Sequence, residues 1–88
     1  MDKDKKLQEF IFRIRARGAQ PLTVYLEPWA DKFNLANDQA LELRLRGPIQ
    51  ESPCELIEIH VEPGIATVYD NWPESEMQGR IVEPTGNE

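Results

Sequence analysis

The sequence is short of the residues that most metal, redox and covalent-catalysis sites need. Its 88 residues include one cysteine, Cys54, and one histidine, His60. A single cysteine cannot form an intramolecular disulfide, and an unpaired thiol is typical of a reducing compartment. Nucleophilic catalysis by Cys54 with His60 as its base is disfavoured, because six residues of extended chain separate them by roughly 20 Å.

Long apolar runs are also missing. No window approaches the ~20 apolar residues of a membrane-spanning helix, and the N-terminal residues contain no apolar run of signal-peptide length. We therefore expect a cytoplasmic protein that does not associate with a membrane. The sequence contains no phosphate-binding glycine loop, and we expect no cofactor.

Basic residues are scarce in the second half of the chain. The net charge is -6; residues 1–50 carry nine Lys/Arg and seven Asp/Glu, whereas residues 51–88 carry one and nine. This overall sign disfavours nucleic acid as a partner, despite a basic stripe at Arg13, Arg15 and Arg17. The favoured interpretation is that oppositely charged strands face one another within the fold. Head-to-tail self-association and a basic protein partner are the alternatives.

The chain length fits a single domain over residues 1–88. Both ends are polar and charged, so residues 1–8 and 83–88 are expected to be frayed or disordered.

Alternation of apolar and polar residues dominates the stretch 22–46. Leucine and valine occupy positions 22, 24 and 26, and leucine occupies positions 41, 43 and 45, with polar residues or Tyr25 between them. This period of two predicts half-buried antiparallel strands over residues 22–27 and 41–46. Similar patterns predict strands at 33–35, 56–62, 65–70 and 77–83.

Residues 7–17 fit two patterns. Apolar residues at positions 7, 10, 11 and 14 have helical spacing, whereas positions 10, 12, 14 and 16 alternate with Arg13, Arg15 and Arg17 as in a strand. The strand is preferred, because β-branched and aromatic residues favour sheets and a helix would leave Phe12 away from its apolar stripe.

Turn residues punctuate the chain about every ten residues. Asn37-Asp38 and Pro63-Gly64 are typical tight-turn dipeptides, and the second predicts a hairpin between residues 56–62 and 65–70. Pro28 lacks a backbone donor and should end its strand or place it at a sheet edge. Together these signals predict an all-β fold, an antiparallel sandwich or small barrel of six to seven short strands.

The motif Arg-x-Arg-x-Arg-Gly-x-x-Pro-Leu-x-Val-x-Leu-Glu-Pro-Trp spans residues 13–29. With the polar turn and the leucines that follow, it resembles a group of small, largely uncharacterised bacterial β proteins with a Glu-Pro-Trp-Gly core motif. The resemblance covers residues 12–70, and Ala30 stands in the position of the motif's glycine. It implies an antiparallel β fold and no established activity.

The best candidate for a binding site is the loop that follows residues 22–27. A rigid proline, an aromatic ring and two carboxylates coincide at Glu27, Trp29 and Asp31, and Tyr25 precedes them on the solvent-side face of its strand. Trp72 lies in a second loop beside a proline. If exposed together, the two tryptophans could stack on a sugar or anchor a protein partner; the alternative is that each closes one end of the core.

Glu58, His60 and Glu62 project from one face of one strand and offer a weak alternative as metal ligands. One straight strand rarely supplies more than two zinc ligands, so no metal is expected. The favoured interpretation is a hairpin between residues 41–46 and 56–62 that pairs Arg44 with Glu58 and places Glu42 near His60.

These observations favour a non-catalytic, small acidic β domain. We expect a protein-interaction or self-association module that acts through an exposed strand edge or the Trp29 loop. The alternative is a small sugar-type ligand-binding domain, or a carboxylate-based enzyme with Glu27, Asp31 or Glu58 as acid or base.

Overall fold

The structure, a computed structural model, describes residues 6–18, 20–52 and 55–83. These ranges form seven strands: β1 (Leu7–Arg15), β2 (Leu22–Glu27), β3 (Asp31–Leu35), β4 (Ala40–Pro48), β5 (Ile57–Glu62), β6 (Ile65–Asp70) and β7 (Glu76–Val82). Cys54 and the outer parts of both expected frayed ends lie outside the described residues, while Leu7 and Gln8 already belong to β1. Within the described ranges, no helix is long and apolar enough to cross a membrane.

The seven strands form a sandwich of two unequal sheets. Sheet A has three strands in the order β1-β4-β7, and sheet B has four in the order β3-β2-β6-β5. The predicted all-β sandwich is therefore confirmed. One pair differs from the antiparallel expectation, because β2 and β6 are parallel. Sheet B consists of two hairpins, β2–β3 and β5–β6, and β4 of sheet A lies between them in the sequence. The hairpins pair through β2 and β6, and the long connection between these two strands allows them to run in the same direction.

The strand prediction for residues 9–17 is correct in type. β1 pairs antiparallel with β4 so that Phe12 lies opposite Leu43 and Ile14 opposite Leu41. The extended conformation thus places the alternate apolar residues beside the buried leucines of β4. A helix could not have paired each of them with a leucine.

The core lies between the sheets and is built mainly from leucine and valine. Leu41, Leu43 and Leu45 of β4 are buried, as are Val24 and Leu26 of β2. Full burial of each such side chain stabilises the fold by about 1.5 to 3 kcal/mol relative to exposure. The alternation identified in the stretch 22–46 is therefore the pattern that builds the core from both sheets.

The predicted hairpin between residues 41–46 and 56–62 is wrong. Both edges of β4 are occupied, by β1 on one side and β7 on the other, so β5 has no edge of β4 to join. After β4 in sheet A, the next strand in the chain, β5, lies in sheet B. Arg44 consequently lies opposite Ile11 and Gln78, with its Nε 3.9 Å from a carboxylate oxygen of Glu9 rather than beside Glu58.

The predicted turns are present. Asp38 has a φ of 68°, and the side chain of Gln39 accepts a hydrogen bond of 2.8 Å from the backbone N–H of Ala36. The Pro63-Gly64 turn joins β5 and β6 as expected. β2 ends at Glu27, immediately before Pro28, and the Glu27–Pro28 peptide bond is cis.

Candidate functional site

The two long sides of the sandwich are closed differently. On one side, β7 of sheet A approaches β3 of sheet B so closely that a Cβ on Gly79 would lie 3.1 Å from Cζ of Phe33. On the other side, the edge strands β1 and β5 flank a surface groove of about 280 Å³. Six apolar residues line this groove: Phe10, Ile11, Phe12, Leu45, Leu56 and Ile57. We call this side of the molecule, with the groove and the strands β1 and β5, the open side.

The open side exists because the three strands of sheet A do not cover all four strands of sheet B. β5 is the outermost strand of sheet B, and its inner-face residues become more exposed along the strand: Ile57 is half-buried, Ile59 is 41% exposed and Val61 is 74% exposed. The inner face of a sandwich sheet is buried only where the facing sheet lies over it. The alternation predicted for β5 is therefore present, but its apolar face is largely left in solvent.

β1 contributes exposed apolar side chains to the same side. Leu7 and Phe10 are exposed, and Ile11, on the outer face of sheet A, is 53% exposed. In the described part of the chain, no strand pairs with the outer edge of β1 or of β5. The open side thus combines apolar side chains with two rows of backbone groups available for strand pairing.

The two edges of the open side differ in charge. β1 carries Arg13 and Arg15 with Glu9, and β5 carries Glu58 and Glu62 with His60 between them. In each strand these residues occupy the outer face, alternating with apolar inner-face residues. One edge is therefore basic on balance and the other acidic.

The outer face of sheet A is organised by Glu42. Arg13 of β1 and Arg80 of β7 lie directly opposite it on the two sides of β4. Nε of Arg80 donates to Oε2 of Glu42 at 3.0 Å, and Nη2 of Arg13 lies 3.4 Å from Oε1. The Arg80 hydrogen bond lowers the pKa of Glu42 from its ordinary value of 4.5; burial opposes the change, while the Arg80 charge and then Arg13 add to it.

This arrangement bears on the charge asymmetry of the sequence. The favoured interpretation had basic and acidic strands facing one another within the fold. The Arg80–Glu42 pair joins the two halves of the chain, but Arg13–Glu42 and Arg44–Glu9 lie wholly within the first half. These three cross-strand ion pairs all lie within sheet A, and Arg80–Glu42 is the one among them that joins the basic and acidic halves.

The predicted binding residues Tyr25, Glu27, Trp29 and Asp31 lie in β2, in the β2–β3 turn and at the start of β3. Tyr25 and Glu27 lie on the outer face of sheet B and are half-buried, Asp31 begins β3 and is exposed, and Trp29 is 41% exposed in the turn. Ala30 has a φ of 61°, a conformation that glycine adopts more readily, at the position where the resembled motif has glycine.

Trp72 does not join that group. It is 3% exposed, and its Nε1 donates a hydrogen bond of 2.8 Å to the carbonyl oxygen of Pro48. Its ring also lies against Phe10, with ring centroids 5.6 Å apart. This placement agrees with the alternative in which Trp72 closes an end of the core, so the two tryptophans form no joint platform.

Glu58, His60 and Glu62 share the outer face of sheet B with Tyr25 and Glu27. Nε2 of His60 lies 2.7 Å from a carboxylate oxygen of Glu58, and its ring lies 4.8 Å from that of Tyr69. The described ranges contain no cluster of three or more His, Cys, Asp or Glu side chains arranged to hold a metal ion. His60 is therefore engaged by a carboxylate and an aromatic neighbour, and Glu42 is not beside it.

Three further surface pockets lie apart from the apolar groove. Two are lined by residues of sheet A, and the third is lined by residues 15–17 and 20–22 with Gly64. Neither Glu27, Asp31 nor Glu58 lines any of these four pockets.

In comparisons with known proteins, no family model, curated protein or solved structure matches the chain.

Sequence reasoning missed the open side, although one signal pointed to it. Ile11 interrupts the alternation of β1 with an apolar residue on the outer face, so Phe10, Ile11 and Phe12 form an apolar run. Such a run is unusual for an edge strand with one solvent-facing side. The exposure of Ile59 and Val61 could not be seen, because it depends on how many strands each sheet has.

The ionised form of Glu42 should stabilise the fold in a pH-dependent way. Because its folded pKa is lowered, the stabilisation is complete above about pH 4.5 and is lost as the pH falls through the folded pKa. We expect Glu42→Gln to be less stable than the parent near pH 7, with the difference shrinking as the pH falls below about 4.5. Urea denaturation followed by circular dichroism measures this. Glu51→Gln, at an exposed loop carboxylate, is the control. A difference that stays constant as the pH falls would contradict the role assigned to Glu42.

The two tryptophans should differ in fluorescence. We expect Trp29→Phe, which retains buried Trp72, to give blue-shifted emission protected from acrylamide. Trp72→Phe, which retains Trp29, should give red-shifted emission that acrylamide quenches readily. Equal quenching of both variants, with folding verified by circular dichroism, would show that the environments of the two rings are assigned wrongly.

Proposed function

We propose that this protein is a non-catalytic interaction module whose binding surface is the open side of the sandwich. The observation that carries the proposal is the exposed inner face of β5, where Ile59 and Val61 follow Ile57, which lines the apolar groove together with residues of β1. Monomeric soluble proteins rarely leave such contiguous apolar surface in water, and where they do, it commonly marks an interaction site.

The chemistry of the open side suits a protein strand. An extended segment added to β5 would satisfy the backbone groups along its outer edge. Its alternate apolar side chains would lie beside Ile57, Ile59 and Val61, while its outward side chains would meet Glu58 and Glu62. A partner strand that alternates apolar and basic residues fits these requirements best.

The Trp29 turn remains a second part of the surface available for contact, since its ring is partly exposed. It offers one aromatic ring and the flanking carboxylates Glu27 and Asp31. The open side offers more apolar surface together with unpaired strand edges, and we therefore assign the main contact to it. Sugar-type ligand binding at the Trp29 turn stays an alternative, and Tyr25, Glu27, Trp29 and Asp31 line none of the four pockets described above.

The test compares two isoleucines on opposite sides of the sandwich. Ile59 on β5 and Ile81 on β7 are both in edge strands and are 41% and 39% exposed. Ile59→Lys should abolish recovery of a partner protein by affinity capture from a lysate of the source organism, or should abolish self-association measured by light scattering. Ile81→Lys, the matched control, should leave both unchanged.

Loss of the interaction with Ile59→Lys alone would support the open side as the binding surface. Equal behaviour of both folded variants and the parent protein, in capture and in self-association, would contradict it. Circular dichroism melting of each variant separates loss of binding from loss of folding.

A further inference from the structure

The two edges of the open side are complementary to each other as well as to an outside partner. Both combine apolar inner-face residues with outer-face charges, and the charges are opposite in sign. We propose, resting on the interaction function above, that the occupant of the open side is a second copy of this chain, with β1 of each copy pairing with β5 of the other.

Geometry permits both pairs to form at once. β1 is an edge of sheet A and β5 is an edge of sheet B, and residues of both line the same groove. A twofold axis that runs along the open side, between the layers, exchanges the two sheets. It therefore brings β1 of one copy beside β5 of the other in each layer, and the contact is closed and self-complementary.

This pairing also corrects the unequal widths of the sheets. Each layer of the dimer joins the three strands of one sheet A to the four strands of one sheet B. The two apolar grooves then face one another, and the inner-face residues Ile59 and Val61 gain a covering layer. Removal of such surface from water is favourable by about 25 cal/mol per Å².

Charge selects this pairing over the pairing of identical edges. β5 carries Glu58 and Glu62 and is net -2 with His60 neutral, whereas β1 carries Arg13 and Arg15 against Glu9 and is net +1. Pairing two β5 strands would bring acidic edges together, and like charges across an interface are unfavourable. Pairing β1 with β5 sets opposite charges along the outer face.

Both arginines already have partners within one copy. Arg13 contacts Glu42, and Nη1 of Arg15 donates to the carbonyl oxygen of Asp38 at 2.7 Å. Their positive charges still attract carboxylates of the second copy through space, and this attraction requires no vacant N–H donor.

The experiment is a charge exchange monitored by sedimentation velocity across protein concentration. The parent chain should sediment as a dimer of twice 10.2 kDa. Glu58→Lys/Glu62→Lys, which changes the β5 edge from net -2 to net +2, and Arg15→Glu, which changes the β1 edge from net +1 to net -1, should each raise the dimer dissociation constant by about tenfold or more. An equimolar mixture of the two variants should recover dimer, because each β1 edge of the mixed dimer then faces a β5 edge of opposite net charge. Ile81→Lys should sediment as the parent does.

Several results would overturn the proposal. A parent chain that stays monomeric at about millimolar concentration would do so, as would dimers that neither charge variant weakens. Assemblies that grow beyond the dimer would contradict the closed twofold contact. If the parent is monomeric but Ile59→Lys still abolishes capture of another protein, the second-copy proposal fails while the proposed interaction function stands. Circular dichroism melting verifies that each variant is folded.

Discussion

Burial of the apolar face of β4 is the constraint on which the rest of the structure depends. β4 is the central strand of sheet A, and its three leucines lie in the core between the sheets. Its opposite face places Glu42 between the arginines of both neighbouring strands. The register of β4 is thus fixed on its inner face by packing against sheet B and on its outer face by the ion pairs of Glu42. A one-residue slip would move the leucines into solvent and separate Glu42 from Arg13 and Arg80.

Because both edges of β4 are used within sheet A, the segment 57–70 must build its hairpin onto sheet B. That addition makes sheet B one strand wider than sheet A, and β5 is left with Ile59 and Val61 exposed on its apolar face. Because β5 joins sheet B and not sheet A, β1 remains an edge strand whose outer edge has no partner in the described residues. The open side is therefore a consequence of how the core is assembled, and the proposed interaction uses the surface that this assembly leaves uncovered.

Much of the fold could be predicted from local pattern. Alternation of leucine with polar residues identified β2 and β4, and Pro63-Gly64 identified the β5–β6 hairpin, because side-chain period and turn dihedrals are local properties. Pairing between distant strands could not be predicted in this way. Arg44 and Glu58 have opposite charges, yet their strands lie in different sheets. The strands that pair with β4 are β1 and β7, and this choice depends on the packing of the whole core. The candidate site divides similarly: the sequence grouped Tyr25, Glu27, Trp29 and Asp31, whereas burial of Trp72 and exposure of Ile59 follow from tertiary packing.

Hydrogen exchange measured at two protein concentrations tests most directly whether the open side is the surface by which this chain pairs with itself. Backbone amides of β5 that point away from β6, and those of β1 that point away from β4, have no strand partner among the described residues of one copy. The account predicts that these amides exchange more slowly at high concentration, while amides at the outer edges of β3 and β7 do not change. Exchange rates in β1 and β5 that are independent of concentration, in a sample shown to contain dimer, would contradict it.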